Sequence, residues 1–137
     1  MTEYELVYLL SEMLNRMWFL MQIWMGVAFA YMALAHFYGH TLGGIIVAIL
    51  TVAFLTFSFS VLAMMNLNLA SANGYDSDLR QIMEIGSLSA GTIAFLEQRE
   101  QVKLIFGPLF GVSLLLTLLC ATFYMPYKCY MGKRAST

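Results

Sequence analysis

Glu12, Asn15, Arg16, Gln22 and His36 are the residues of this chain whose types and spacing could do chemistry at a membrane. At about 100° per residue, Tyr4, Tyr8, Ser11, Asn15, Gln22, Gly26, Ala33 and His36 share one broad helical face, with Glu12 at its edge and Arg16 further round. Polar groups at membrane depth are costly, which makes them default candidates for function. A stripe of this kind cannot face lipid along its length, so it must meet another helix, another subunit or water. In one reading it lines the pore or proton pathway of a homo-oligomer. Glu12 and Arg16 then guard the mouth, while Asn15 and Gln22 offer hydrogen bonds deeper in. In the other it joins helices, and Glu12 and Arg16, spaced i, i+4 in the favourable order, neutralise each other near the headgroups. The second reading asks less of the residues, because a single amide such as Gln22 is commonly satisfied by a neighbouring helix.

Two further patterns concern packing. Gly107 and Gly111 stand four apart, as do Gly44 and Ala48, which are followed by Thr51 and Ser58 on nearly the same face. Small residues at this spacing let helix backbones approach closely. His36 and His40 are also i, i+4, but no third ligand lies nearby and Gly39 interrupts the helical geometry, so no metal site is expected. Cys120 and Cys129 read as reduced, inert thiols. The ladder Met13, Met17, Met21, Met25 reads as soft packing surface.

No His-Glu-x-x-His, Gly-x-Ser-x-Gly or phosphate-cradling loop is present. Asp76, Asp78, Glu84, Glu97 and Glu100 read as solvated surface. Neither enzyme activity nor a cofactor is expected. The net charge of −1 and the lack of a basic run argue against nucleic acid as a partner.

The elements that position these residues are apolar. Hydrophobic residues make up 61% of the chain and charged ones 11%, against about 45–50% and about 25% in ordinary soluble domains. Met17 to Ala35, Leu42 to Leu67 and Leu104 to Tyr127 are each near or above the roughly 20 residues that a helix needs to cross a bilayer. The expected fold is an all-α integral membrane protein with three transmembrane helices, about 10–38, 42–67 and 104–127. It forms a single membrane domain over residues 1–137. The opening Met-Thr-Glu-Tyr-Glu lacks the positive charge of a cleaved export signal, so the first span is expected in the mature protein.

Gly39-His40-Thr41 is short enough to return the second helix antiparallel beside the first. Asn66, Asn68, Ser71, Asn73 and Gly74 predict the end of the second helix, and residues 68–103 an extramembrane loop. Within that loop, Asp78 and Gln81 predict a capping-box start for an amphipathic helix of about 78–101, with a bend at Gly107-Pro108 into the third span. Trp24 and Tyr31 fall mid-span, where packing against helices is expected, while Tyr38, Tyr124, Tyr127 and Tyr130 fit an interfacial belt. Lys128, Lys133 and Arg134, undiluted by acids, favour a cytosolic C-terminus, as in a bacterial inner membrane. The sequence thus reads as a small non-enzymatic membrane protein acting by helix association, its partners being the lipid bilayer and either its own copies or other membrane subunits. A homo-oligomeric channel is the alternative.

Overall fold

The computed structural model describes residues 2–86 and 88–135, with the backbone path alone for residues 105–108, 133 and 135. Thr2 and Glu5 form a reciprocal capping box, the Glu5 carboxylate accepting from the Thr2 N–H at 2.8 Å and the Thr2 hydroxyl accepting from the Glu5 N–H at 3.3 Å. From there α1 runs Glu3–Tyr38. It ends where Thr41 and Leu42 donate their N–H groups back to the Tyr38 carbonyl, which also accepts from the Thr41 hydroxyl. Helix α2, Gly44–Glu84, and helix α3, Ala90–Ala135, complete the fold.

All three helices are long and apolar enough to cross a membrane. Their 36, 41 and 46 residues correspond to roughly 54, 62 and 69 Å at 1.5 Å per residue. A hydrocarbon core is about 30 Å thick, so each helix has length to spare.

This differs from the expected loop. Residues 78–101 do not form a separate amphipathic helix: Asp78 to Glu84 end α2, and Ala90 to Gln101 begin α3. The chain reverses between Glu84 and Ala90. There Gly86 takes a φ of +78° and donates to the Met83 carbonyl, while the Ser89 hydroxyl accepts from the Thr92 N–H as an N-cap. Asp78 and Gln81 therefore sit inside a helix. So do Asn66, Ser71, Asn73 and Gly74, which lie on its exposed face. The turn-rich composition was outweighed by burial on the other face, where Met65, Ala72 and Leu79 keep a seven-residue step. No helix boundary falls at Gly107-Pro108; α3 continues through both residues.

Two compact units are built from these helices, Met1–Leu20 with Ala63–Gly111, and Met21–Leu62 with Val112–Thr137. The first unit buries Leu6, Leu10, Ala72, Leu79 and Leu96. The second buries Ala28, Tyr31, Ala35, Val47, Phe54, Ala121, Met125 and Cys129. Alanine, glycine and cysteine at these contacts let helix backbones approach closely. A Cβ on Gly132 would lie 2.7 Å from the His40 Cβ, and one on Gly39 would collide with the Ala35 carbonyl and with Lys128.

Gly132→Ala and Gly39→Ala are therefore expected to destabilise the fold, at the about 1–3 kcal/mol typical of overpacking. Gly74→Ala and Gly111→Ala, where nothing lies within 4 Å of the added methyl, should be neutral or stabilising. Thermal unfolding in detergent checks this; equal behaviour of all four variants would contradict the packing.

Candidate functional site

The inward face of α1 is apolar: Leu6, Leu10, Trp24, Ala28, Tyr31 and Ala35 are buried. The polar stripe lies on the opposite side. Tyr4, Tyr8, Ser11, Asn15, Gln22, Gly26, Ala33 and His36 are all exposed, so none of them joins α1 to α2 or α3 by burial. Glu12 and Arg16 pair directly as an exposed i, i+4 ion pair. The Ser11 hydroxyl donates to the Tyr8 carbonyl at 2.8 Å. Among the described residues, no hydrogen bond or ion pair engages the side-chain amides of Asn15 and Gln22.

His36 behaves differently from the rest of the stripe. Its Nδ1 lies 2.9 Å from the Tyr124 hydroxyl, fixing the ring beside α3, and Lys128 Nζ stands 5.7 Å from the Tyr124 ring centroid. His36 and His40 do not converge with other ligands; among the described residues no group of three His, Cys, Asp or Glu side chains comes together.

Three of the four small residues singled out for packing are also outward. Gly44, Ala48 and Gly111 are exposed, and the surroundings of Gly107 lie outside the described residues. Gly44, Ala48 and Thr51 instead edge a groove of about 440 Å³ with Pro126, Cys129 and Tyr130. Among the described residues, the close approaches inside the chain are made at Gly39 and Gly132, which spacing alone did not flag.

Within the second unit the buried polar groups are paired. Trp24 Nε1 donates to Ser58 Oγ at 3.0 Å, and the Tyr31 hydroxyl lies 2.8 Å from Thr51 Oγ1. Trp24 to Tyr31 and Ser58 to Thr51 are each one heptad, run in opposite directions, which is the signature of antiparallel helices. Tyr31 also stacks on Phe54 with centroids 4.5 Å apart. The Cys129 thiol donates to the Leu42 carbonyl at 3.5 Å.

The first unit holds a charge cluster that periodicity did not reveal. Asp76, 9% exposed, faces Arg99 as an ion pair and accepts from Arg80 Nε at 3.1 Å; Arg80 Nη2 donates onward to Glu100 at 2.9 Å. Two acids and two guanidinium groups balance. Asp76 and Arg80 are i, i+4 and readable from the sequence, but Arg99 and Glu100 join them only once the turn is placed at Gly86. Nearby, the Glu3 carboxylate accepts from the Ser89 N–H at 3.1 Å, the Ser89 hydroxyl at 2.7 Å and the Thr92 hydroxyl. These bonds, Thr92's foremost, hold the Glu3 carboxyl below the usual carboxylate range. The first turn of α1 thereby caps the start of α3.

Arg99→Leu leaves Asp76 largely buried beside one cation instead of two and should cost on the order of 3–5 kcal/mol. The double variant Asp76→Leu, Arg99→Leu should recover most of that loss, because paired apolar replacement removes both desolvated charges. Denaturation of the two variants in parallel tests the cluster; a double variant as unstable as the single would contradict the direct pairing.

No family model, curated protein or solved structure matches this chain.

Proposed function

We propose that the chain is a small, non-enzymatic integral membrane protein that works by helix–helix association in the bilayer, as a homo-oligomer or as a small subunit of a larger membrane complex. The observation that carries this reading is the outward face of α1. It places Gln22 in the open within the otherwise apolar run Met17 to Ala35, with Asn15 exposed on the same face just before that run. An amide facing hydrocarbon loses its hydrogen bonds to water without replacement, so a partner that restores them is favoured.

Surface composition supports the same reading. Only 17%, 22% and 11% of the most apolar windows of the three helices is buried within the chain. Ile45, Ile49, Val52 and Phe59 on α2 present large apolar side chains outward, as suits contact with lipid. The exposed small residues Gly44 and Ala48 offer a second place where a foreign helix can come close. We place the C-terminus, with Lys128, Lys133 and Arg134, in the cytosol.

A pore lined by α1 is the second reading, since Asn15 and Gln22 would offer hydrogen bonds to a permeating ion or proton. Trp18 and Phe29, exposed on the same helix, put bulky apolar groups between the polar ones. That alternation suits packing better than a continuous water path.

The mass of the solubilised particle is the test. It should exceed that of one chain in mild detergent and in lipid nanodiscs, and Gln22→Leu with Asn15→Leu should lower it. A particle that is a lone chain in both media overturns the proposal. Ion flux through proteoliposomes that disappears in the same variants, with the particle mass unchanged, would favour the pore.

A further inference from the structure

The exposed face of α1 carries a period that the buried face does not explain. Tyr8, Asn15, Gln22, Phe29 and His36 succeed one another at seven-residue steps, and all five are exposed. Tyr4, Ser11, Trp18, Met25 and Met32 make a second series offset by four, exposed except for the half-buried Met32. Spacings of four and three in alternation are the a and d positions of a heptad repeat, here sustained along one uninterrupted helix of 36 residues. Trp24 and Tyr31, which face α2, fall at c in the same register and point about 130° away from the centre of this seam. Helix α1 thus carries a second heptad seam, about 100° round from the one used within the chain; it is open from Tyr4 to Phe29 and meets α3 beyond, where Met32 is half-buried and His36 Nδ1 lies 2.9 Å from the Tyr124 hydroxyl.

We infer that the open seam pairs α1 with α1 of a second copy of this chain, parallel and in register. The inference rests on the association reading above and names its partner. Copies inserted with the same topology and related by a two-fold axis along the membrane normal present their α1 helices parallel. Residues at a then meet their own counterparts. Asn15 faces Asn15, and Gln22 faces Gln22. Each amide carries both a donor and an acceptor, so identical amides satisfy one another.

The register follows from counting these pairs. In register, both amide positions are satisfied. A slip of one heptad sets Gln22 against Asn15 at one step and leaves the remaining amides opposite Tyr8 and Phe29. Polar residues at a positions select register and strand number in this way in paired helices. Trp18 and Phe29 supply the bulky apolar contacts on either side of Gln22, and Gly26 opens space beside them, nothing lying within 4 Å of its Cβ position. A partner helix without matching amides would leave Asn15 and Gln22 unsatisfied, which is why a second copy fits better than an arbitrary apolar helix.

Disulfide scanning in native-like membranes tests the seam. In a background with Cys120→Ser and Cys129→Ala, single cysteines replace Asn15, Trp18, Gln22, Met25 and Phe29 on the seam, and Arg16, Ile23 and Ala30 beside it. Oxidation should give covalent dimers that peak at 15, 18, 22, 25 and 29 and fall at 16, 23 and 30. In the intact chain, energy transfer between labelled copies should report dimerisation weakened roughly 3- to 30-fold by Gln22→Leu and largely retained by Gln22→Asn. Cross-linking that is flat along α1, or that peaks at 16, 23 and 30, overturns the parallel seam. If the particle is then still larger than one chain, the association reading survives and only the partner is wrong. A lone chain removes both.

Discussion

In hydrocarbon a hydrogen-bonding group has no water to fall back on, and the polar side chains on the apolar stretches of these helices are arranged as that constraint requires. Thr51, Ser60, Ser71, Thr117 and Thr122 donate their hydroxyls to carbonyls four residues earlier in their own helices. Trp24 and Tyr31, too large to be satisfied by their own helix, reach Ser58 and Thr51 across to α2. The backbone is helical from Glu3 to Ala135 apart from two short turns. Asn15 and Gln22 stand out because their exposed amides meet no hydrogen-bond partner among the described residues.

Helix geometry and charge divide the remaining work between the two units. In the second unit, small residues at the seam, Ala28, Ala35 and Ala121, allow close approach, and aromatic side chains bring the specific bonds. In the first, a leucine-rich core is accompanied by the Asp76, Arg80, Arg99 and Glu100 cluster and by Glu3 at the start of α3. A buried ion pair adds little net stability compared with well-packed apolar residues, but a misaligned one is severely penalised. The cluster therefore fixes how α2 and α3 align more than how tightly they hold. The direction of each ladder agrees with this: Asp76 meets Arg99 across the Gly86 turn, as Trp24 meets Ser58 across the Gly39 turn.

The three apolar segments and the first turn were legible because hydropathy and a Gly-His-Thr connection are local signals. The polar stripe was legible too, since its residue types and spacing are contained within one helix. The second turn was not. Asn66, Ser71, Asn73 and Gly74 carry turn propensity, yet Ala72 and Leu79 on the same stretch are buried against Leu6, Leu10 and Leu96, and a long-range contact of that kind leaves no local mark. Gly86 with Ser89 was the better signal, a left-handed glycine followed three residues later by an N-cap serine. Missing it also hid the ion-pair cluster, whose four members come together only when the chain reverses there. The tight approaches at Gly39 and Gly132 escaped for a similar reason: small-residue spacing says that close packing is possible, but not which copy of the motif is used.

The central claim is that the outward face of α1 is shielded from lipid by a partner while the outward face of α2 is not. Spin labels at position 22 and at positions 49 and 52, in reconstituted bilayers, distinguish the two by their collision rates with oxygen and with a water-soluble relaxant. The account predicts strong oxygen relaxation at 49 and 52, and at 22 a label sheltered from both agents. A label at 22 that meets oxygen as freely as those at 49 and 52 would show acyl chains around the amide position and contradict it.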